Sequence, residues 1–451
     1  MNLRLFNLLL ILLLATTTGC ATYALHTHDF RTQLAGGHFE QALSSLKGVN
    51  KKTNRLLYHM ENGLVEHYRG QFQASNKHFE TAERLSDRLF TRSLSKEIAS
   101  FVTNDAVRSY RGETFELTFI HYYRALNYWY LGLPEDALVE CRKANLKLEK
   151  IASINGETSY KNDAFIHYLT GLFYEATGEW NDAYISYQDA ARAYENYADF
   201  NFQPPPSLDR DLARVEDILD GTPGVEIRFA STGLHRPTGD GELVLFSEIG
   251  FVPRKIQKDI DLPIYDHDIK RGKRVDIAII ANEISGRYHT PYRTHHVEYW
   301  LRAAIPAYES THPQTHTIRV LAAGQRAESV PAEDLASIAR VTFEHQMPKI
   351  LTRTVARGFV KYLAYRQADK KNKVLGFFTQ LFTLSTEVAD TRSWVSLPNS
   401  IQIVRLHLPP GVHDLILQAL DANGNIIETH SLQGVEILPG ERTFLNHRMY
   451  R

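Results

Sequence analysis

Residues 171–190 read GLFYEATGEWNDAYISYQDA. Small residues stand at Gly171 and Ala183, and large aromatic residues stand at Tyr174 and Tyr187. Small residues allow two paired helices to approach closely, and aromatic side chains fill the gaps that remain between neighbouring pairs. The stretch therefore predicts a pair of closely packed helices that becomes stable only when another pair stacks against it.

The same spacing of small and aromatic residues occurs upstream. The second copy comprises Ala125, Tyr128, Gly132, Pro134, Ala137, Cys141 and Ala144. Weaker copies surround Gly37 and Gly70, which are 33 residues apart. These copies resemble tetratricopeptide repeats, whose period is about 34 residues. The resemblance implies a solenoid of helix pairs, with a concave side that is built from the first helix of each repeat.

The residues expected on this concave side are aromatic or apolar, apart from one carboxylate. They are Phe119, Tyr122, Leu126, Trp129, Tyr130, Phe165, Tyr168, Leu172 and Glu175. Such a surface suits a protein segment that lies in a groove, and we expect an envelope protein as the partner. The alternative is that inserted segments or the C-terminal region of the chain itself fill the groove.

The character of the chain changes near residue 222. Pro204, Pro205 and Pro206 introduce a last helix over 208–219, and Gly221-Thr-Pro-Gly224 ends the helical region. Short β-branched and aromatic runs follow, separated by Gly, Pro and Asp turns, which is typical of strands. The predicted strands are 225–230, 243–246, 275–281, 297–303, 317–321, 401–408, 415–420, 426–429 and 443–449.

A helical insert is predicted at about 330–388. Pro331 stands at the expected helix start. The residues at the spacing of one apolar helix face are Ile350, Leu351, Val355, Phe359 and Leu363. The apolar segment Val374–Leu384 predicts either a core helix or a helix that contacts a membrane surface. The predicted fold is multidomain, with an all-α tetratricopeptide-like solenoid at 20–222 and a β-rich α+β domain at 223–451.

The N-terminus has the layout of a secretory leader. Arg4 precedes the apolar run 5–15, which is too short to span a bilayer, and small residues lead to Cys20. This layout resembles the lipobox of bacterial lipoproteins, although Thr17 stands where a larger apolar residue is usual. The resemblance implies removal of residues 1–19, acylation of Cys20 and, with Ala21 next, sorting to the outer membrane. The alternative is a soluble secreted protein that is cleaved nearby.

The composition excludes some classes of partner. The chain of 451 residues has 51 Lys and Arg against 52 Asp and Glu, which argues against a nucleic-acid binder. It also argues against a polybasic membrane anchor, so we expect membrane attachment through acyl chains. With Cys20 acylated, only Cys141 remains, and its repeat-core position predicts a buried structural thiol.

Several blocks of the C-terminal region are distinctive. They are GELVLFSEIG at 241–250, PRK at 253–255, DLPI at 261–264, DTRSW at 390–394, LP at 397–398, RL at 405–406 and LPPG at 408–411. Together they resemble an uncharacterised family of repeat-containing bacterial lipoproteins. The resemblance implies an envelope function, including partnership with the peptidoglycan-synthesis machinery. Within these blocks, Trp394 beside Arg392 predicts a packing anchor.

Few residues form a pattern that binds metal. His289, His295 and His296 cluster, but adjacent histidines in a strand point to opposite faces, so surface positions are expected. Asp421-Ala-Asn-Gly-Asn425 begins like a calcium loop, but Ile426 replaces the required Gly. We therefore read it as a hairpin turn and expect neither a metal nor a cofactor.

The catalytic candidates are equally sparse. The pairs Glu298 with Glu309, or Asp276 with Glu283, are conceivable glycosidase carboxylates, but charged residues beside strands usually face solvent. No G-x-S-x-G, P-loop or dinucleotide motif occurs. The sequence favours a non-enzymatic outer-membrane lipoprotein that acts as a scaffold or adaptor. The rival hypothesis is an envelope enzyme that acts on glycan or peptide, with its site in the C-terminal domain.

Overall fold

A computed structural model of the protein describes residues 18–94, 108–155, 160–197, 202–221, 239–265, 268, 285, 297–310, 312–371 and 388–451. The N-terminal part of the described chain is helical. Its helices are α1 (Thr18–Ala35), α2 (Phe39–Leu46), α3 (Arg55–Tyr68), α4 (Phe72–Leu94), α5 (Thr114–Tyr130), α6 (Pro134–Asn155), α7 (Ala164–Ala176), α8 (Trp180–Glu195) and α9 (Pro206–Leu219). A 3₁₀ turn, Lys47–Val49, follows α2.

Small residues set the distance between paired helices. A Cβ atom built on Gly63 in α3 would lie 2.7 Å from the ring of Phe79 in α4, and one built on Gly171 in α7 would collide with Tyr187 in α8. A glycine with a φ of 71° or 81° stands in the turn of two successive pairs, at Gly132 and Gly178. L-residues with a side chain rarely adopt this φ, so glycine permits the short connection.

The C-terminal part contains three sheets. Its strands are β1 (Gly241–Ile249), β2 (Lys255–Tyr265), β3 (Val297–Tyr308), β4 (Thr317–Ala322), β5 (Gln325–Glu328), β6 (Val330–Glu333), β7 (Ser400–Leu408), β8 (Gly411–Leu420), β9 (Ile426–Ile437) and β10 (Arg442–Met449). The strand orders are β10-β1-β7-β6, β5-β4-β8-β9 and β2-β3. Strands β1 and β10 pair in parallel, and the other pairs are antiparallel.

The sheet that contains β1 is the middle layer of the molecule. Every residue of β1 is buried, because successive side chains point to opposite faces and both faces are covered. Val244 and Phe246 join the core that the helices form. Leu243 and Leu245 join a second core with the sheet of β4 and β8, to which Leu417 belongs. The order of layers is therefore helices, first sheet, second sheet.

The third sheet is covered by one long helix, α10 (Leu335–Lys371). Leu351, Val355 and Phe359 of the predicted apolar face pack on Leu262 and Leu301 of β2 and β3. Their spacing of four residues places them on one side of the helix. The helical insert is thus observed over 335–371, while Val374–Leu384 lies outside the described residues.

The predicted helix start at Pro331 is wrong. Pro331 lies in β6, at the edge of the first sheet, where the lack of an N–H group is tolerated. The helix begins four residues later, because Asp334 accepts hydrogen bonds from the backbone N–H of Ser337 at 3.0 Å and from its hydroxyl at 2.6 Å. A side chain that accepts from the first turn is a typical N-cap.

The other predicted strands that fall on described residues are confirmed. Strands β1, β3, β4, β7, β8, β9 and β10 contain them. The predicted turn at Asp421 joins β8 to β9, and its carboxylate accepts from the backbone N–H groups of Asn423 and Asn425, each at 2.8 Å. The predicted strands 225–230 and 275–281 lie outside the described residues.

The helical part and the first sheet share one hydrophobic core. It joins helical residues such as Phe119 and Phe165 with Phe246, Ile403 and Phe444 of the sheet. The chain passes from α9 to β1 through 222–238, which the structure does not describe. The two predicted regions are thus distinct in secondary structure and joined by a common core.

Candidate functional site

The first sheet occupies the predicted partner groove. Phe165 packs edge-on against Phe246, with ring centroids 5.7 Å apart, and Trp129 packs against Phe444 at 5.0 Å. Tyr130 donates a hydrogen bond to the Asn446 side chain at 2.9 Å. The prediction of an open groove is therefore wrong, and the stated alternative, that the C-terminal region fills it, is observed. The buried residues of the set are Phe119, Tyr122, Leu126, Phe165, Tyr168, Leu172 and Glu175.

Glu175 belongs to a buried ionic network across this contact. Glu242 on β1 accepts hydrogen bonds from Arg405 and Arg442, each at 2.7 Å. Arg442 also lies 2.7 Å from Glu175, and Arg405 pairs with Asp211. Burial alone would raise the pKa of Glu242, but the two arginines hold it well below its usual range. Each of the three carboxylates is thus paired with an arginine, and the pairs of Arg442 with Glu175 and of Arg405 with Asp211 join the sheet to the helices.

The segment 389–399 inserts into the helical part. Arg392 donates to the carbonyl of Thr53 at 3.2 Å, to the Asn54 side chain at 3.1 Å and to the carbonyl of Arg108 at 2.9 Å. Trp394 is fully buried, and its indole N–H donates to Ser396 at 2.9 Å. The prediction that Trp394 is a packing anchor is confirmed.

Two buried carboxyl groups accept hydrogen bonds from the backbone of this segment. Neither was predicted from the sequence. Glu61 accepts from the backbone N–H of Val395 at 2.9 Å, and Glu116 accepts from that of Trp394 at 2.7 Å. Burial raises the pKa of Glu61 to about 8. Burial, then the nearby Glu113, raises that of Glu116 to about 7. The sequence did contain a signal for Glu61, because its spacing places it on the same helix face of α3 as the apolar residues Leu57 and Leu64.

Glu298 and Glu309, the candidate carboxylates that fall on described residues, do not form a pair. Glu298 and Glu309 stand eleven residues apart along β3 and its end, which is roughly 36 Å at the rise of a strand, far beyond a glycosidase pair. Glu298 pairs with Arg366 at 3.1 Å, and Glu309 pairs with Arg254 at 2.9 Å. The other candidates lie outside the described residues; they are Asp276, Glu283, His289, His295 and His296.

Cys141 and Cys20 occupy different settings. Cys141 is buried in α6, and burial raises the pKa of its thiol to about 12, as a structural thiol requires. Cys20 lies near the beginning of α1. Of the leader, only Thr18 and Gly19 fall within the described residues.

One cluster offers three metal-ligating atoms within 4.8 Å of one another, namely Glu83, His121 and Glu140. His121 contacts Glu140 through Nδ1 at 2.7 Å. However, Arg124 pairs with both carboxylates, and Lys143 lies 3.0 Å from Glu140. A divalent cation there would face two fixed positive charges at close range, so the cluster fits a metal poorly. The cluster is an ionic network that holds α4, α5 and α6 together.

A cavity of about 220 Å³ lies where the helical part, the third sheet, α10 and the segment 389–399 meet. We call it the junction cavity. Its described lining is Arg108, Ser109, Tyr110, Arg111, Gly112, Glu113, Lys255, Ala304, Pro306, Phe343, Gln346, Ile350, Arg353, Thr354, Arg357, Val388, Ala389, Asp390 and Arg392. Among the described residues of the lining, six are basic and two are acidic.

The two acidic residues of the lining are held by basic neighbours. Lys255 is buried and pairs with Glu113. Burial alone would lower the pKa of Lys255, but Glu113 and then Glu116 raise it, so the ammonium stays charged. Asp390 accepts from Arg392 Nε at 2.7 Å and from its NH2 at 2.6 Å. Both carboxylates of the described lining are thus held in ion pairs with basic residues of the same lining.

Comparisons with family models and with curated proteins do not assign a role to this geometry. The chain matches no family model, and no curated protein matches it significantly. Within the described ranges, none of the helices combines the length and the apolar character needed to cross a membrane.

Proposed function

We propose that the protein is a lipoprotein of the outer membrane, anchored through acyl chains on Cys20, and that it acts as a scaffold or adaptor at the periplasmic face. The leader with its small residues before Cys20 supports the anchor. The shared core of helices and first sheet supports the scaffold, because it joins most of the described chain into a body that can hold partners at fixed distances. The machinery of peptidoglycan synthesis is the proposed class of partner, on the resemblance of the C-terminal blocks.

The observation that carries the non-enzymatic part of this proposal is the separation of Glu298 from Glu309, each of which forms an ion pair with an arginine. Each carboxylate is held by an arginine, and the two lie at opposite ends of β3. An enzyme that cleaves glycan needs two carboxyl groups on either side of one bond. The geometry favours ion pairs that fix β3 to its surroundings.

The helix pairs are proposed to be tetratricopeptide-like units. Gly63 against Phe79 and Gly171 against Tyr187 are the close contacts that this repeat pattern requires. In this proposal the first sheet takes the place that a bound peptide has in an open solenoid. The partner then binds elsewhere on the body.

The anchor is tested with Cys20→Ser. Acylation requires the thiol, so the variant is expected to leave the membrane fraction or to accumulate as an uncleaved precursor. Fractionation followed by mass spectrometry of the N-terminus checks this. Exposed Ser44→Ala is the matched control and should stay with the membrane. Membrane association of a correctly cleaved Cys20→Ser protein would contradict the proposal.

The scaffold is tested against the enzyme by complementation of a deletion strain. Glu298→Gln and Glu309→Gln are expected to restore the wild-type phenotype to the deletion strain. With the wild-type chain, crosslinking in intact envelopes is expected to capture a dominant protein partner. Loss of complementation by either variant, with an unchanged melting curve, would favour the enzyme.

A further inference from the structure

We propose that His430 and His447 form a binding site for a divalent transition-metal ion of the kind that imidazole binds, such as Zn²⁺. We call these two residues the histidine pair. His430 lies on β9 at the edge of the second sheet, and His447 lies on β10 at the edge of the first sheet. An ion held there would join the two sheets at this edge. The inference goes beyond the scaffold function and does not depend on it.

The two imidazole rings meet through atoms that bind metals. Nδ1 of His430 lies 2.6 Å from Nε2 of His447. Two nitrogen ligands that lie about 2.0–2.1 Å from one tetrahedral ion are about 3.3 Å apart, so the rings need to separate by roughly 0.7 Å to admit it. The side chain of His430 is 32% exposed, so an ion can reach the histidine pair from the solvent.

Glu428 fixes the protonation of His430 that a metal requires. Its carboxylate lies 2.8 Å from Nε2 of His430, so this nitrogen carries the proton and donates it. Nδ1 of His430 then keeps its lone pair. A metal-binding histidine almost always donates its other N–H group in this way. The second carboxylate oxygen of Glu428 is buried and accepts no hydrogen bond from the described residues, so its charge is available to attract a cation.

The charges around the histidine pair also suit a cation. Burial, then the neighbouring His430, lowers the pKa of His447 to about 4, so the ring is neutral at pH 7. Among the residues that the structure describes, Glu428 has no lysine or arginine as an ion-pair partner. The cluster around His121 differs, because an arginine and a lysine hold its carboxylates. The repulsion that disfavours a cation in that cluster is therefore weaker at the histidine pair.

A buried hydroxyl supports the metal-bound form of His447. Ser247 on β1 is the register partner of His447 on β10. Both side chains point towards the second sheet, because Leu245 and Leu445, two residues earlier, pack there. The Ser247 hydroxyl is buried and has no hydrogen-bond partner in the described part of the chain. When Nε2 of the neutral His447 ring binds an ion, its proton moves to Nδ1, and Ser247 is the acceptor that we assign to that N–H group.

The test is a calorimetric titration of the purified full chain with Zn²⁺. The chain carries no histidine tag and is first freed of metal with EDTA. We expect a saturable site that Mg²⁺ does not occupy, because Mg²⁺ prefers oxygen ligands. Zn²⁺ is also expected to raise the melting temperature, since an ion that binds the folded state stabilises it.

Variants of the cluster assign the site to its residues. His430→Gln and His447→Gln each remove a ligand and are expected to weaken Zn²⁺ binding by more than the roughly 10–100-fold that the loss of a supporting group costs. Glu428→Gln removes the supporting carboxylate and is expected to fall within roughly that range. His59→Gln is the matched control, because it breaks another histidine contact, with the Nδ1 atoms of His59 and His78 3.1 Å apart.

Two further measurements make the outcome decisive. Melting curves without metal show whether each variant is folded, and His430→Gln, at the more exposed position, is used if His447→Gln melts at a lower temperature than the wild type. With Cu²⁺ as the probe, the electron paramagnetic resonance spectrum is expected to show two imidazole nitrogens in the wild type and one in His430→Gln. The proposal is overturned if Zn²⁺ does not bind at micromolar concentration, if Mg²⁺ binds equally well, or if the His430 and His59 variants bind Zn²⁺ alike.

Discussion

Glu61 and Glu116 stand where the segment 389–399 enters the helical part. Each accepts a backbone N–H of that segment, from Val395 and from Trp394. Backbone donors in an irregular segment need acceptors once they are buried, and a glutamate on a helix supplies one. The cost is a carboxyl group whose charged form is poorly solvated, which is why burial raises both pKa values.

The raised pKa of Glu61 predicts a pH-dependent stability. Between its ordinary value of 4.5 and about 8, the folded state binds the proton more strongly than the unfolded chain. The contribution of Glu61 to stability is therefore complete below about pH 4.5 and is lost as the pH rises towards 8. In Glu61→Gln the side chain stays neutral, so the variant should match the wild type near pH 5 and exceed it at pH 8.5 by on the order of a few kcal/mol. Urea unfolding at both values of pH measures this.

The control for this prediction is Glu436→Gln, which changes an exposed carboxylate on β9. It should alter the free energy of unfolding by the same small amount at both values of pH. If Glu61→Gln changes the free energy of unfolding equally at pH 5 and pH 8.5, protonation of Glu61 does not contribute to stability.

At the scale of elements, the helix pair is the unit whose packing the sequence predicts best. Ala183 in α8 is fully buried. Ala183→Trp is expected to lower the free energy of unfolding by roughly 1–3 kcal/mol or more, because a large ring must displace the facing helix. Thermal unfolding followed by circular dichroism measures the loss. Asn181→Trp, at an exposed position two residues earlier, should be nearly neutral; similar losses in both variants would contradict the repeat register.

The strands and helices were predictable to different degrees, for physical reasons. Alternation of apolar residues is a local signal, so β7 and β8 could be located from the sequence. The start of α10 was misplaced because Pro331 suits both the first turn of a helix and an edge strand, and the cap at Asp334 decides between them. The parallel pairing of β1 with β10 joins residues about two hundred positions apart, and no local pattern encodes it.

At the scale of the whole molecule, the sequence indicated helix residues that contact another part of a structure, but it did not decide between a partner protein and the chain's own C-terminal region. The aromatic residues on the concave side would look the same for a partner protein as for the chain's own sheet. What distinguishes the two is the match between Arg405 and Arg442 of the sheet and the helical carboxylates that they pair with, Asp211 and Glu175. This match becomes visible only when β7 and β10 are placed against the helices. The junction cavity escaped the sequence analysis for the same reason, as its lining comes from separated parts of the chain.

The shared core predicts that the C-terminal part does not fold alone. A fragment of residues 224–451 would expose Val244, Phe246 and Phe444 to water. Each buried aromatic or aliphatic side chain contributes about 1.5–3 kcal/mol, so losing the cover of these three should cost about 4.5–9 kcal/mol, which is comparable with the whole stability of a typical domain. We expect the fragment to aggregate or to bind a hydrophobic dye, and to regain a cooperative melt when coexpressed with residues 20–222. A cooperative melt of the isolated fragment would contradict the common core.

The long separation along the chain between the helices and β10 has a consequence for biosynthesis. This strand brings Arg442 and Phe444 to the helices, and it lies beside β1 in the first sheet. While a ribosome is still adding residues, the helical part has already been made, but the last strand of its cover has not. A nascent chain therefore carries an incompletely covered aromatic surface until β10 has been made, and chaperones that bind apolar segments have their target there. A premature stop before residue 440 would leave that surface open for the lifetime of the product and mark it for proteolysis.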